Sequence, residues 1–335
     1  MNKNRIILFI CDTGIGDLVI SLPWIKYYSK LKNSETIICT KKIHSDFLEM
    51  VDSDFKFINF SIDKLESLIK ENSDIFEVIS IRSSDNLLLN LKRLSKIYPN
   101  KDFKFNILYE RKLSFFYRKL FGNFHYSKVH DIRKENIFKI LMNKQDFNPK
   151  NYIVPDCKNL FSLKDLSKLF NKLEKDYVVI AGSGQDKQRK FTSEQIQYLS
   201  NHIGFQIVLI GRDWEINTKI LQNKLNLIDK TTLKEAISLI FHSKFVFCMD
   251  SLFSHISNSY KNVPSLTIMG NAPASRWGPL ETQTNSYLLH TNKNGKACRC
   301  KACKGIKLEK SCMQQLKIVE KSINVLKKRF PRIFL

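Results

Sequence analysis

Residues 246–279, VFCMDSLFSHISNSYKNVPSLTIMGNAPASRWGP, constrain the fold more than any other stretch of the chain. An apolar run of strand length at 245–249 breaks abruptly at Asp250 and Ser251. A short helical pattern carrying His255 follows, then Pro264, a second apolar run at 265–269, and Gly270. A loop with Arg276, Trp277, Gly278 and Pro279 closes the stretch. Strand, polar turn, helix, strand is the connection of an α/β layer built on a parallel sheet. It masses polar residues at the carboxyl ends of strands, where open α/β sheets collect ligands. Helix N-termini at that edge also offer unpaired amides to anions.

The same alternation opens the chain. Residues 5–10 read as a central parallel strand and run into CDTGIGD at 11–17. A helix then places Leu18, Leu22, Ile25 and Tyr28 on one face, with Pro23 predicting a kink or restart. Thr13, Gly14 and Gly16 form a turn that lets backbone approach a ligand. The third glycine of a dinucleotide fingerprint is missing, and no acidic residue stands at the end of the next strand, 35–40. Asp17 reads either as a helix N-cap or as a carboxylate held at the mouth of the sheet as a general base. Helices at 43–50, 63–70 and 86–97 alternate with strands at 55–60, 76–81 and 105–109. Arg82 closes the strand at 76–81, where it either faces the ligand side or is an ordinary exposed arginine. The basic, aromatic segment 111–150 reads as a helix with one core face. A groove for a phosphorylated acceptor or a membrane-facing patch is the functional alternative.

Pro149 and Pro155 sit in a stretch without periodicity, which puts the end of the first domain near residue 160. A helix at 163–173 and a strand at 177–180 lead into AGSGQDKQRKFTSEQ. Lys187, Arg189 and Lys190 stud that glycine loop, and Thr192 with Gln195 makes a capping box for the next helix. Cations and helix amides converging on one place suit a diphosphate, against the plainer reading of a solvated charge run. After the strand at 205–210, Glu215 sits where a carboxylate accepts both hydroxyls of a ribose. Thr232 and Glu235 cap the helix that feeds the strand at 245–249.

Composition narrows the partners. The chain has 335 residues, 43% of them hydrophobic, with 24 Phe, enough for two cores. A formal charge of +23 points to an anionic partner: nucleic acid, an anionic membrane face, a phosphorylated small molecule or a glycan. No reading helix, RNA motif or zinc-finger spacing accompanies that charge, which sets nucleic acid aside as a distant alternative. No apolar run approaches the roughly 20 residues of a membrane span, and six apolar residues before Asp12 are too few for a secretory signal. The expected location is the cytoplasm.

These motifs together resemble the ADP-heptose:lipopolysaccharide heptosyltransferase family, glycosyltransferase family 9, of GT-B fold. The resemblance rests on TGIGDLVISLPWIKYYSK, VVIAGSGQDKQRKFTSEQ, VLIGRDWE, KTTLKEAISLI and the span 250–279. It implies two Rossmann-like parallel-sheet domains facing a cleft: an acceptor-side domain at 1–160 and a nucleotide-sugar domain at 161–313. The helix in 314–335 would pack back on the first domain. It implies metal-independent, inverting transfer of heptose from ADP-heptose to the lipopolysaccharide or lipooligosaccharide inner core. Another nucleotide-activated hexose or N-acetylhexosamine is the alternative donor. Asp17 would be the base. The Asp250–Ser251 turn, the amides of Leu252 and Phe253, and His255 would cradle the diphosphate. Glu215 would hold the ribose, and Thr231 would lie near adenine. The acceptor would be a phosphorylated, lipid-linked core glycan at the anionic inner membrane.

Three positions depart from the family pattern. Leu252 replaces a glycine, so the turn should take ordinary helical dihedrals. Arg189 stands at the phosphate-binding lysine position, with Lys187 or Lys190 as substitutes. Asp229 replaces a glycine before Lys-Thr, where its carboxylate would accept a hydrogen bond from base or ribose. Finally, Cys298, Cys300, Cys303 and Cys312 include one two-residue spacing, which suits either a structural zinc or reduced thiols in a surface loop.

Overall fold

The computed structural model describes residues 5–12, 14–51, 55–82, 85–105, 157–182, 187–217, 219, 224–259, 263–270, 272, 274, 286–291, 296, 298 and 310–335. The segment 111–150, Thr13, Cys300, Cys303 and the loop 275–280 lie outside the described residues, as do the side chains of Arg82 and Lys187. The chain divides into two compact units, Met1–Lys158 and Asn159–Leu335.

The first unit holds a five-stranded parallel sheet of order β3-β2-β1-β4-β5. Its strands are β1 (Ile6–Cys11), β2 (Glu35–Thr40), β3 (Lys56–Asn59), β4 (Ile75–Arg82) and β5 (Asp102–Phe105). Every residue of β1 is buried, because helices cover both faces of a central parallel strand. Ile6, Leu8 and Ile10 meet Leu65 and Ile69 of α3 (Ile62–Glu71) and Leu87, Leu88, Leu91 and Leu94 of α4 (Asp85–Ile97). On the opposite face Phe9 packs edge-on against Trp24 of α1 (Ile15–Lys32), with ring centroids 5.6 Å apart. Helix α1 runs uninterrupted through Pro23 and is buried continuously from Asp17 to Ile25, so the expected single apolar face is instead buried all round. A short turn at Lys42–His44 precedes α2 (Ser45–Met50).

The second unit is a six-stranded parallel sheet of order β11-β10-β9-β6-β7-β8. Its strands are β6 (Tyr177–Ala181), β7 (Gln206–Ile210), β8 (Lys224–Asn226), β9 (Phe245–Met249), β10 (Ser265–Met269) and β11 (Ser286–His290). The helices are α5 (Leu163–Leu169), α6 (Ser193–Ser200), α7 (Leu233–His242), α8 (Leu252–Ser259) and α9 (Leu316–Arg329). Thr192 with Gln195 and Thr232 with Glu235 form both capping boxes that the sequence predicts, starting α6 and α7. A third box, Ser162 with Asp165, starts α5.

Helix α9 corrects an expectation. Its buried residues Ile318, Val319, Ile323 and Leu326 join the core formed by Ile180, Ile196, Leu209 and Phe247. Leu335 N–H also bonds His202 O, and Gly204 N–H bonds Ile333 O. The apolar stripe of this helix is therefore used within the second unit, where the sequence reading placed it on the first. Among the described residues no helix is long and apolar enough to cross a membrane.

Candidate functional site

In the first unit the carboxyl end of β1 carries the candidate base. The N-cap of α1 is Gly14, at φ −75° and ψ 149°, without a side-chain cap bond. Asp17 is the third helical residue, and its N–H bonds Gly14 O at 3.0 Å. The plainer reading of Asp17 as the N-cap is thus replaced by a first-turn carboxylate, favoured there by the helix dipole. Neither Gly14 nor Gly16 takes a positive φ. A Cβ at Gly14 would stand 3.7 Å from Asp17 Oδ2, so the carboxylate folds back over the start of the helix. Asp17 is buried, as is Asp12 at the end of β1.

Sequence reasoning missed His44, a lone histidine in a short helical pattern. The Thr40 hydroxyl donates to Cys11 O at 2.7 Å. Its oxygen therefore accepts from His44 Nδ1 at 2.6 Å, which puts the imidazole proton on Nδ1. Burial first, and Lys41 second, hold this imidazole below its ordinary pKa, while the Asp17 carboxylate pulls the other way.

In the second unit the strand order reverses between β6 and β9, because β6 continues to β7 on one side and β9 to β10 on the other. Open α/β sheets bind ligands at such switch points. Arg189 lies on a short turn after β6, and Asp250 directly follows β9. Arg189 Nη1 stands 3.5 Å from Asp250 Oδ2 and donates to Asp250 O at 3.4 Å. The pair bridges the switch point, with Asp250 buried and Arg189 partly open.

Helix α8 starts two residues after Asp250. Leu252 takes no positive φ, as expected for a helix start, and Phe253 is buried. Ser254 Oγ donates to Ser251 O at 2.7 Å. The Ser251 hydroxyl is buried and has no hydrogen-bond partner among the described residues. His255, in the first turn of α8, has its pKa pushed down to about 4, by burial first and by the Arg189 charge second. It is a neutral imidazole beside a fixed cation.

Glu215 and Thr231 occupy the next two strand-end loops. Glu215 is exposed after β7, on a loop that is not helical over residues 211–217. Thr231 is half-buried after β8 and directly precedes the α7 cap. The strand order β9-β6-β7-β8 therefore lines up Asp250, Arg189, Glu215 and Thr231 along one carboxyl edge.

Two residues behave differently from expectation. Lys190 Nζ bonds the carbonyl of Asp213 and so faces the neighbouring loop. Asp229 keeps a left-handed backbone, φ 59°, and its Oδ1 accepts from Asp213 N–H at 3.0 Å. That carboxylate is engaged by protein, where the sequence reading offered it to base or ribose.

At the far strand, Cys298 N–H bonds Gly270 O at 2.6 Å, and Cys312 Sγ lies 3.0 Å from Thr291 Oγ1. Among the described residues no three His, Cys, Asp or Glu are placed to hold a metal ion.

Two doubly wound parallel sheets, with charged and polar groups gathered at their carboxyl edges, define a GT-B glycosyltransferase fold. The chain belongs to glycosyltransferase family 9 (heptosyltransferase), whose family model matches residues 121–307, more than half of its length. A glycosyl transferase family 9 protein from Veillonella parvula DSM 2008 superposes with a TM-score of 0.67 at 10% identity, over 98% of this chain and 99% of that one. The E. coli ADP-heptose lps heptosyltransferase II gives 0.65 at 13% identity, over 96% and 99%. The dodecameric iron-containing heptosyltransferase TibC of E. coli, solved with ADP-D-beta-D-heptose, gives 0.59 at 12% identity, over 98% and 77%. At such identities the likeness is one of fold. Comparison with curated proteins gives no match.

Proposed function

We propose that this glycosyltransferase moves heptose from ADP-heptose to a lipopolysaccharide or lipooligosaccharide core, with inversion at the anomeric carbon. The observation that carries the reading is the Arg189–Asp250 pair at the β6/β9 switch point, beside the N-terminus of α8. A diphosphate there meets a guanidinium, the first-turn amides of Leu252 and Phe253, and the buried Ser251 hydroxyl. Neutral His255 adds no second charge beside the Arg189 cation. Moving outward along the sheet, Glu215 takes the ribose hydroxyls and Thr231 lies by the adenine.

In the reaction the acceptor hydroxyl gives its proton to the Asp17 carboxylate while its oxygen bonds to the anomeric carbon. The bond from that carbon to the diphosphate oxygen breaks, and ADP leaves with the electron pair. Negative charge grows on the leaving phosphate, where Arg189 and oriented amides stabilise it more than they do the ground state. These groups supply the charge stabilisation a divalent cation would otherwise give, so transfer should persist in chelator. Cys298, Cys300, Cys303 and Cys312 would then serve structure only, as a zinc site or as thiols. Gly270 brings the Cys298 amide and the Cys312 sulfur to one strand end. The charge of +23 suits a phosphorylated, lipid-linked acceptor on the cytoplasmic face of an anionic membrane.

Two measurements test this reading. ADP should raise the unfolding temperature more than UDP or GDP at equal concentration. Better protection by UDP or GDP would remove ADP-heptose as donor. Asp17→Asn should retain that protection while turnover falls about 10²–10⁴-fold, the range for a general base. Turnover within about two-fold of the parent protein would leave Asp17 a purely structural first-turn carboxylate.

A further inference from the structure

Three adjacent strand-end loops of the second unit meet at the backbone of one residue. Asp213, on the loop after β7, has its N–H bound by Asp229 Oδ1 at 3.0 Å and its carbonyl bound by Lys190 Nζ. Lys190 directly follows Arg189 on the loop after β6, and Asp229 belongs to the loop after β8. Asp229 N–H returns to Gly211 O at 2.9 Å, which closes the knot. Next along the chain, Trp214 Nε1 bonds Phe191 O at 2.9 Å and its ring lies under Gly182. Asn217 N–H then bonds Ser193 Oγ at 3.2 Å.

Backbone conformation supports a purpose for this arrangement. Five described residues take a positive φ, and three of them, Gly211, Asp213 and Asp229, lie in this knot. For a non-glycine residue that conformation costs roughly 1 kcal/mol, and such strain persists where surrounding contacts hold it, commonly at functional sites. Asp tolerates it better than most residues because its short carboxylate can bond nearby backbone, and the Asp229 carboxylate bonds the N–H of Asp213 on the neighbouring loop.

We propose that Lys190 and Asp229 are positioning residues. They hold the backbone N–H and carbonyl of Asp213, the two peptides that flank it, and so fix the loop carrying Glu215 to the loop carrying Arg189. The proposal rests on the donor-binding reading above and adds a division of labour to it. Arg189 meets the diphosphate, whereas Lys190 meets protein and acts on the ribose side through Glu215, two residues beyond Asp213. Clamping keeps diphosphate and ribose contacts at one spacing, which favours a nucleoside diphosphate over its diphosphate part alone. Ordering the loop before binding removes an entropic cost that the ligand would otherwise bear.

Calorimetry on the full chain with ADP and, separately, inorganic pyrophosphate tests this. Asp229→Gly keeps the left-handed backbone but removes the carboxylate, and Lys190→Met keeps the alkyl stem but removes the charge. Each should weaken ADP about three- to ten-fold and leave pyrophosphate unchanged, as expected for one lost charge-assisted hydrogen bond. Adding Glu215→Gln to either should weaken ADP by much less than it does in the parent protein. Asp229→Asn, which retains an Oδ1 acceptor, should bind ADP nearly as the parent does. Equal loss of pyrophosphate and ADP in Lys190→Met would make Lys190 a phosphate ligand and overturn the proposal. Unchanged ADP affinity in both variants, or full additivity with Glu215→Gln, would overturn it too. If the parent prefers UDP or GDP, the same ratios apply with that nucleotide, and only the choice of base falls. A parent that binds pyrophosphate but gains nothing from any nucleoside would sink the donor reading and the clamp together.

Discussion

His255 shows what a single buried titratable group does to the second unit. Its folded pKa of about 4 lies below the ordinary value of 6.5, because burial and then Arg189 oppose its charging. The unfolded chain therefore binds a proton between these two values that the folded chain refuses. The stability contributed by neutral His255 is complete above about pH 6.5 and is lost as pH falls from there towards 4. Its slope approaches about 1.4 kcal/mol per pH unit. Thermal unfolding across pH 7 to 5 should register this, and His255→Gln should flatten the fall over that window. An equally steep fall in the variant would put the pH sensitivity elsewhere. The dependence on Arg189 also links protonation to the candidate donor corner: a charged His255 would crowd two cations at α8.

At the scale of elements, the carboxyl edge of the second sheet is set by how few atoms separate its loops. Gly182 follows β6, and a Cβ there would stand 2.6 to 2.9 Å from the Trp214 ring. The indole cannot yield easily, since it is buried and its Nε1 is bound to Phe191 O. Gly182→Ala should therefore destabilise by about 1–3 kcal/mol, the usual range for overpacking. That corresponds to a drop of roughly 2–12 °C in unfolding temperature for a unit of this size. Displacing Trp214 would also shift the Glu215 loop, so ADP affinity should fall with stability. An unfolding temperature within about 1 °C of the parent would mean the indole has room that the packing denies.

For the whole molecule, the two units have separate cores and unequal ways of completing them. The second unit draws four buried side chains, Ile318, Val319, Ile323 and Leu326, from a helix more than 100 residues beyond β6 in the chain. Burying each contributes about 1.5–3 kcal/mol, so together they rival the net stability of a typical domain. A chain cut after residue 315 should leave the second unit unfolded and abolish protection by ADP. Amide exchange on β1 and β4 should stay slow, because the core they share with α3 and α4 contains nothing from that helix. Retained ADP protection in the cut chain would show that α9 only covers a core already formed.

Much of this protein was legible in its residues because the signals were local. Apolar runs of strand length placed β1, β2, β4, β6, β7, β9 and β10 to within a residue or two, and capping boxes at Thr192 and Thr232 marked two helix starts. The polar turn at Asp250–Ser251 after a buried strand marked the candidate site, and the parallel α/β class followed from alternation, with two units expected from chain length and the family resemblance. The edge strands β8 and β11 escaped. One spans only three half-buried residues, and an edge position demands no continuous apolar run. What needed tertiary structure was partnership. Only the fold shows that Gly14 caps α1 and leaves Asp17 inside its first turn, or that His44 reaches Thr40. The sequence put Arg189 first with Lys187 or Lys190 as substitutes, and only the fold shows that Arg189 turns to Asp250 and Lys190 to Asp213. An apolar stripe such as that of α9 states that it will be buried, not against which core. Burial free energy depends on area and carries no address, so the address comes from topology.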